Sequence, residues 1–247
     1  MISLMPALSA RAATVSLGAA TPNLGDGVQN LSFATSTADD TDVQFIPSNY
    51  LAGDNVNALG QTFTTGANSG GYSLSSISVR QVGGFNTYWD FTGGTITIQL
   101  YQLGTGSGGV WNITPIATET AAVGGANGGF SSGTQGASAQ WLTLTLSAAA
   151  NLSANTQYGF QLVSNGTGGN DGFFMELDGT IGTPYAGGFA TGTSKVSGQP
   201  DPAFVFDGNN GQPSDRAFVA SMTSVPEPSS ALLGAVGILA LFRRRRA

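Results

Sequence analysis

Residues 74–82 read Leu-Ser-Ser-Ile-Ser-Val-Arg-Gln-Val, and their pattern of apolar and polar residues is the clearest indication of the fold class. Within it, the apolar residues Ile77 and Val79 alternate with the polar residues Ser78 and Arg80. Successive side chains of an extended chain point to opposite faces, so one face of this segment is apolar and the other polar. The alternation predicts a half-buried antiparallel strand.

The same period of two recurs on both sides of this segment. Further strands are predicted at residues 61–64, 95–100, 110–116, 141–146, 157–163, 171–178, 203–206 and 216–222. Glycine-rich loops separate several of them, and residues 13–58 suggest only short edge strands. About nine to eleven strands are expected, which predicts an all-β fold for residues 13–224, an antiparallel two-sheet sandwich or jelly roll.

The composition excludes several classes of protein. Charged residues make up 9% of the 247-residue chain, glycine occurs 37 times, and histidine and cysteine are absent. Without them the chain has no disulfides, no Ser-His-Asp or Cys-His catalytic machinery and no zinc site built on these ligands. Only carboxylates, a Ser/Lys pair or a hard cation are left for catalysis.

The distribution of charge also limits the partners. Apart from Arg11 and the four C-terminal arginines, the basic residues are Arg80, Lys195 and Arg216, and these three stand against the fourteen acidic residues of the chain, a net charge of −11. Such a field repels nucleic acid, so nucleic-acid binding is excluded.

The C-terminal segment, residues 225–247, has three parts in a fixed order. Pro226, Glu227 and Pro228 come first, an apolar run at 231–242 follows, and Arg243, Arg244, Arg245 and Arg246 come last. An apolar helix closed by cations holds a chain end in a membrane, with the arginines acting as a stop to transfer. Twelve residues span only about 18 Å as a helix, so a buried terminal helix is the alternative. The run has no polar face, which favours the membrane interpretation.

These three parts resemble the PEP-CTERM sorting signal of exported bacterial proteins. The resemblance implies recognition of Pro226, Glu227 and Pro228 by an exosortase, a membrane-embedded cysteine protease, and removal of the helix near this motif. It further implies a membrane-anchored precursor and then a cell-surface or matrix protein. Residues 1–12 are predicted to be the remainder of a signal peptide, because Ala10-Arg11-Ala12 carries small residues at alternate positions.

A looser resemblance concerns the body of the chain. Residues 61–65, 74–82, 95–103, 152–158 and 184–188 together look like the extracellular β-sandwich called a choice-of-anchor domain. This resemblance implies attachment rather than chemistry, and it assigns no catalytic residue.

Two acidic groups are candidates for a structural calcium ion, the only cofactor considered. Asp39, Asp40 and Asp42 lie within four residues and offer the hard oxygen ligands that calcium takes. Their spacing lacks the ordered calcium-loop pattern, so a solvated acidic loop is the alternative. The second group would need its loops to meet at one end of the sandwich; it comprises Asp171, Asp178, Asp207 and Asp215.

Carbohydrate binding and glycoside hydrolysis are the competing functions. Tyr88, Trp89 and Asp90 could stack on and hydrogen-bond to a sugar, or the aromatic rings could close the end of the sandwich. Glu176 and Asp178 share one face of a predicted strand, as a hydrolase pair or as a solvated strand face.

Two further groups are weaker candidates for catalytic residues. Glu119 is a distant candidate partner for the glutamate and aspartate of that strand, and Ser194-Lys195 is a weak dyad because neighbouring side chains diverge. The sequence therefore predicts a non-catalytic, exported envelope or matrix protein, structural or adhesive in role. Its expected partners are an exosortase, the membrane before processing, and extracellular polysaccharide.

Overall fold

The computed structural model describes residues 12–31, 43–47, 59–81, 90–91, 94–107, 110–123, 130–131, 140–166, 172–176, 185–192, 204–206, 208–209, 212–213 and 215–227. These residues form strands and turns, with no helix among them. The strands are β1 Thr14–Gly18, β2 Val28–Asn30, β3 Val43–Pro47, β4 Leu59–Thr64, β5 Tyr72–Gln81, β6 Asp90–Phe91, β7 Gly94–Ser107, β8 Val110–Val123, β9 Phe130–Ser131, β10 Gln140–Leu152, β11 Gln157–Gly166, β12 Gly172–Glu176, β13 Ala190–Gly192, β14 Phe204–Phe206, β15 Gly208–Asn209, β16 Gln212–Pro213 and β17 Phe218–Ser224.

The strands divide by length into two groups. Ten have five residues or more, in agreement with the number expected from sequence, and seven have only two or three residues. Apart from β14, predicted at residues 203–206, the short strands were not predicted individually, because two or three residues cannot display a period of two. The longest strands, β7 and β8, pair along nearly their whole length as one hairpin.

The first sheet has seven strands and is called the large sheet here. Its order is β1-β10-β5-β12-β3, and β17 pairs with both β5 and β2. Every strand pair in it is antiparallel. Strand β17, the last strand among the described residues, therefore lies inside the sheet rather than at its edge.

The second sheet closes on itself as a ring of six strands. Its order is β11-β4-β13-β14-β8-β7, with β7 returning to pair with β11. Two further pairs, β15 with β16 and β6 with β9, stand apart from both sheets. The predicted all-β fold with two antiparallel layers is confirmed.

One hydrophobic core joins the large sheet to the ring. Ile77, Val79 and Leu144 of the large sheet belong to the same buried cluster as Phe63 and Phe160 of the ring. Phe218 of β17 lies between the layers, with its ring centroid 6.2 Å from that of Phe63 and 5.8 Å from that of Phe160. Truncating a buried phenylalanine of this kind costs about 3–5 kcal/mol, so β17 is a principal contributor to the core.

Strand β5 contains a bulge that the alternation in the sequence did not reveal. Ser76 pairs with Ser221 and Leu74 with Met222, so Ser75 is an extra residue opposite β17. Because of this extra residue, Leu74 and Ile77 both face the core although they are three positions apart.

Candidate functional site

The candidate sorting junction is the point where β17 ends and residues 225–227 begin. Ser224 is the last residue of the strand and pairs with Tyr72 at the start of β5. Val225, Pro226 and Glu227 follow directly, so no linker separates the sheet from the Pro-Glu-Pro segment. The junction is therefore part of the folded body.

A tight turn at residues 66–71 holds Val225. The Val225 amide donates to the Gly71 carbonyl at 3.0 Å, and Asn68 Nδ2 donates to the Val225 carbonyl at 3.0 Å. The same Asn68 amide donates to the Gly71 carbonyl at 2.6 Å, which closes the turn. Val225 thus has hydrogen bonds on both its backbone N–H and its carbonyl.

Glycine is required at two positions of this turn. Gly71 has a φ of 79°, in the left-handed region that glycine adopts without strain. A Cβ added to Gly70 would come within 2.1 Å of the Val225 carbonyl oxygen. The Gly-Gly pair therefore allows the turn to approach the backbone at the start of the sorting segment.

Asp26 holds the junction from the other side. Its Oδ2 accepts a hydrogen bond from the Ser224 amide at 2.8 Å. Hydrogen bonds from the Ser224 backbone and side chain lower the pKa of Asp26, because they stabilise the carboxylate form. Sequence analysis missed both Asn68 and Asp26; the only signal was the turn-forming composition of residues 66–71.

Of the predicted recognition residues, Pro226 is exposed and Glu227 is half-buried. Pro228, the run at 231–242 and Arg243, Arg244, Arg245 and Arg246 lie outside the described residues, as do residues 1–11 of the predicted signal peptide. No helix in the described part of the chain is long and apolar enough to cross a membrane.

Most residues of the other predicted sites lie outside the part of the chain that the structure describes. Asp39, Asp40, Asp42, Tyr88 and Trp89 lie outside the described residues, together with Asp171, Asp178, Ser194, Lys195 and Asp207. Asp90 lies in β6, which pairs with β9, and Glu176 ends β12. No group of three or more acidic residues that could hold a metal occurs within the described ranges.

Asp215, from the second acidic group, lies within the described residues, and its carboxylate forms hydrogen bonds that stabilise the fold. It is 1% exposed, and its Oδ1 accepts a hydrogen bond from Gln61 Nε2 at 2.8 Å. Its Oδ2 accepts one from the Tyr185 amide at 2.5 Å. Gln61 also accepts from the Arg216 amide at 2.8 Å, so this buried cluster joins β4, the segment at 185–189 and the chain before β17.

Glu119 of β8 has a comparable role. Its Oε2 accepts a hydrogen bond from the Ser147 amide at 2.6 Å, within the irregular part of β10. The carboxylates of Asp26, Glu119 and Asp215 thus each bind backbone N–H groups. A carboxylate used in this way stabilises a loop or strand end.

An all-β sandwich whose last strand leads directly into Pro-Glu-Pro, an apolar run and terminal arginines is an exported protein with a C-terminal sorting signal. The family model for the PEP-CTERM protein-sorting motif matches residues 224–246, so the chain carries the signal that an exosortase processes. The match begins at the last residue of β17. No curated protein and no solved structure matches the chain.

Proposed function

We propose that the protein is a non-catalytic structural or adhesive component of the cell envelope or of an extracellular polysaccharide matrix. The observation that carries this proposal is the sorting motif at residues 224–246, which follows the folded body without a linker. The body would be the delivered cargo, and the tail would be the part that processing removes.

The chemistry of the side chains supports a non-catalytic role. The chain has no histidine and no cysteine, and the carboxylates of Asp26, Glu119 and Asp215 bind backbone amides of the fold. A glycosidase needs one carboxylic acid with a raised pKa beside a second carboxylate. Asp26 shows the opposite shift, since its pKa is lowered.

Sorting is tested by the variant Glu227→Ala in the native host. Loss of the only carboxylate in the Pro-Glu-Pro segment should leave a membrane-held, unprocessed precursor, which blotting of membrane and released fractions would detect. Thr118→Ala, an exposed substitution on β8, is the control and should be processed normally. Normal release of the Glu227→Ala protein would contradict recognition of this motif.

The role after sorting needs a separate measurement. Deletion of the gene should weaken the cohesion of the extracellular matrix, measured as the shear needed to disperse the cells, and the wild-type gene should restore it. Turnover of a chromogenic glycoside by the purified protein would instead favour the secreted glycosidase.

A further inference from the structure

The outer face of the large sheet carries hydroxyl side chains in register. On β1, β10, β5 and β17 the side chains that face away from the core alternate with core residues such as Val15, Leu144, Ile77 and Ala220. Strand pairing aligns one row of them across these four strands: Thr14, Thr145, Ser76 and Ser221. A second row contains Ser16 and Thr143; Ser78, the next residue in register, is fully buried and is not part of this row. These two rows are called the hydroxyl face.

A cleft opens at one side of the hydroxyl face. The segment at residues 22–25 lies along β17, where Met222 donates its amide to the Leu24 carbonyl at 3.2 Å. The cleft has a volume of about 330 Å³, close to the lower limit for sites that hold small molecules. Its hydroxyl groups come from Ser75, Ser76, Thr143, Ser221 and Thr223.

Ser76 is the residue that points to a ligand. It is only 9% exposed, and no described residue hydrogen-bonds to its hydroxyl. Its neighbours are satisfied: Ser221 Oγ donates to the Asn23 carbonyl at 2.6 Å, and the Ser78 and Thr143 hydroxyls lie 2.8 Å apart. The Ser76 hydroxyl lines the cleft, and a hydroxyl can both donate and accept, so it is available to hydrogen-bond with a molecule bound there.

The lining of the cleft selects for an uncharged ligand. No residue that lines it is ionisable, and the hydroxyls lie beside the apolar side chains of Pro22 and Leu24. Sugars present the same combination, with hydroxyls that both donate and accept hydrogen bonds and with apolar C–H faces. The acidic chain, with a net charge of −6, repels anionic polymers.

We propose that this cleft binds a short stretch of a neutral polysaccharide, and that the hydroxyl face extends the contact along the polymer. The proposal rests on the proposed adhesive function for its biological meaning. The binding itself can be tested without that function.

The test uses the full-length protein in a zwitterionic detergent, because a detergent with a sugar head group would compete for the cleft. Calorimetric titrations would compare neutral β-glucan oligosaccharides with oligomers of the anionic polymer alginate. We expect binding of the neutral series only. Ser76→Ala and Thr223→Val should each weaken that binding about fivefold, the factor expected for the loss of one hydrogen bond.

The control is Thr120→Val. Thr120 carries an exposed hydroxyl on the other sheet, 2.8 Å from that of Thr97, and its loss should leave the affinity unchanged. Thr223 is exposed, so Thr223→Val keeps the fold even if Ser76→Ala does not. No binding of a neutral glycan, or equal affinity in Thr223→Val and wild type, would overturn the proposal.

The two proposals fail in different experiments. Normal matrix cohesion in the deletion strain together with glycan binding in vitro would contradict the adhesive function alone. Weakened matrix cohesion without glycan binding would contradict the binding site alone.

Discussion

Tyr185 and Asp215 show how single polar residues stabilise the core. The Tyr185 ring packs edge-on against Phe218 with centroids 5.4 Å apart, while its backbone amide binds the Asp215 carboxylate. Burial, and secondly the negative charge of Asp215, raise the pKa of Tyr185 to about 12. Both effects disfavour the phenolate form in the folded state.

This shift predicts a loss of stability in alkaline solution. The folded pKa exceeds the unfolded value of 10.0, so the contribution of Tyr185 is fully present below pH 10 and is lost as the pH rises to about 12. Allowing for partial solvent screening, the free energy of unfolding should fall by about 1–2 kcal/mol over this range. Urea unfolding at a series of pH values would measure it.

The control for this prediction is Tyr185→Phe. It keeps the ring that contacts Phe218 but cannot ionise, so it should lack this part of the pH dependence. Tyr158→Phe, at a tyrosine whose hydroxyl binds the Ser153 amide, should retain it. An identical slope in Tyr185→Phe and wild type would contradict the assignment.

For single residues, the sequence predicted few of the contacts that the structure contains. It indicated Asp215 only as a member of a calcium cluster, whereas the structure places it in hydrogen bonds with Gln61 and Tyr185. These partners are 154 and 30 positions away along the chain. Contacts over such separations depend on strand register, which local patterns do not encode.

Strand β5 pairs with β10, β12 and β17 in the large sheet, and its bulge determines which of its side chains face the core. Because Ser75 is the extra residue, Leu74 and Ile77 both reach the core. Removing Ser75 would place these two residues two positions apart and make the pairing with β17 regular. Removing Ser78 would instead place Ile77 and Val79 next to each other, on opposite faces.

Two single-residue deletions therefore have opposite expected outcomes. The chain without Ser75 should fold with a loss of about 1–2 kcal/mol, because it loses only the local geometry of the bulge. The chain without Ser78 should not fold, because half of β5 would turn its apolar side chains to solvent at a cost above about 4 kcal/mol. Circular dichroism and thermal unfolding would distinguish them, and equal stability of the two would contradict the role given to the bulge.

The sequence predicted the elements better than their order. Alternation located β4, β5, β7, β10 and β11, and the turn before β11 was expected from residues 152–156. It did not predict that β8 extends from Val110 to Val123, since Pro115 and the polar residues after it interrupt the pattern. It also left open the closure of the ring, which depends on the three-residue strands β13 and β14.

For the whole molecule, the position of β17 is the most important feature. It contributes Phe218, Ala220 and Met222 to the core and lies between β5 and β2. A chain that ends at residue 217 should therefore remain unfolded, because both β2 and the core would lose their partner. A chain that ends at residue 227 retains the junction contacts of Val225 and should unfold in one cooperative transition.

Limited proteolysis and thermal unfolding of these two truncated chains would test the prediction. The longer chain serves as the control for removal of the C-terminal segment. A protease-resistant chain ending at residue 217 would show that the body folds without its last strand, and it would contradict the central role of β17.

The late position of β17 also has a consequence for secretion. A domain folds as its segments emerge during synthesis, so one that needs its last strand cannot complete its core until that strand has been made. Here the residues that complete the interior of the large sheet come at the end of the body, immediately before the sorting segment. We therefore expect the body to remain incompletely folded until nearly all of it has been made, which would leave it in a form suited to export as an unfolded chain.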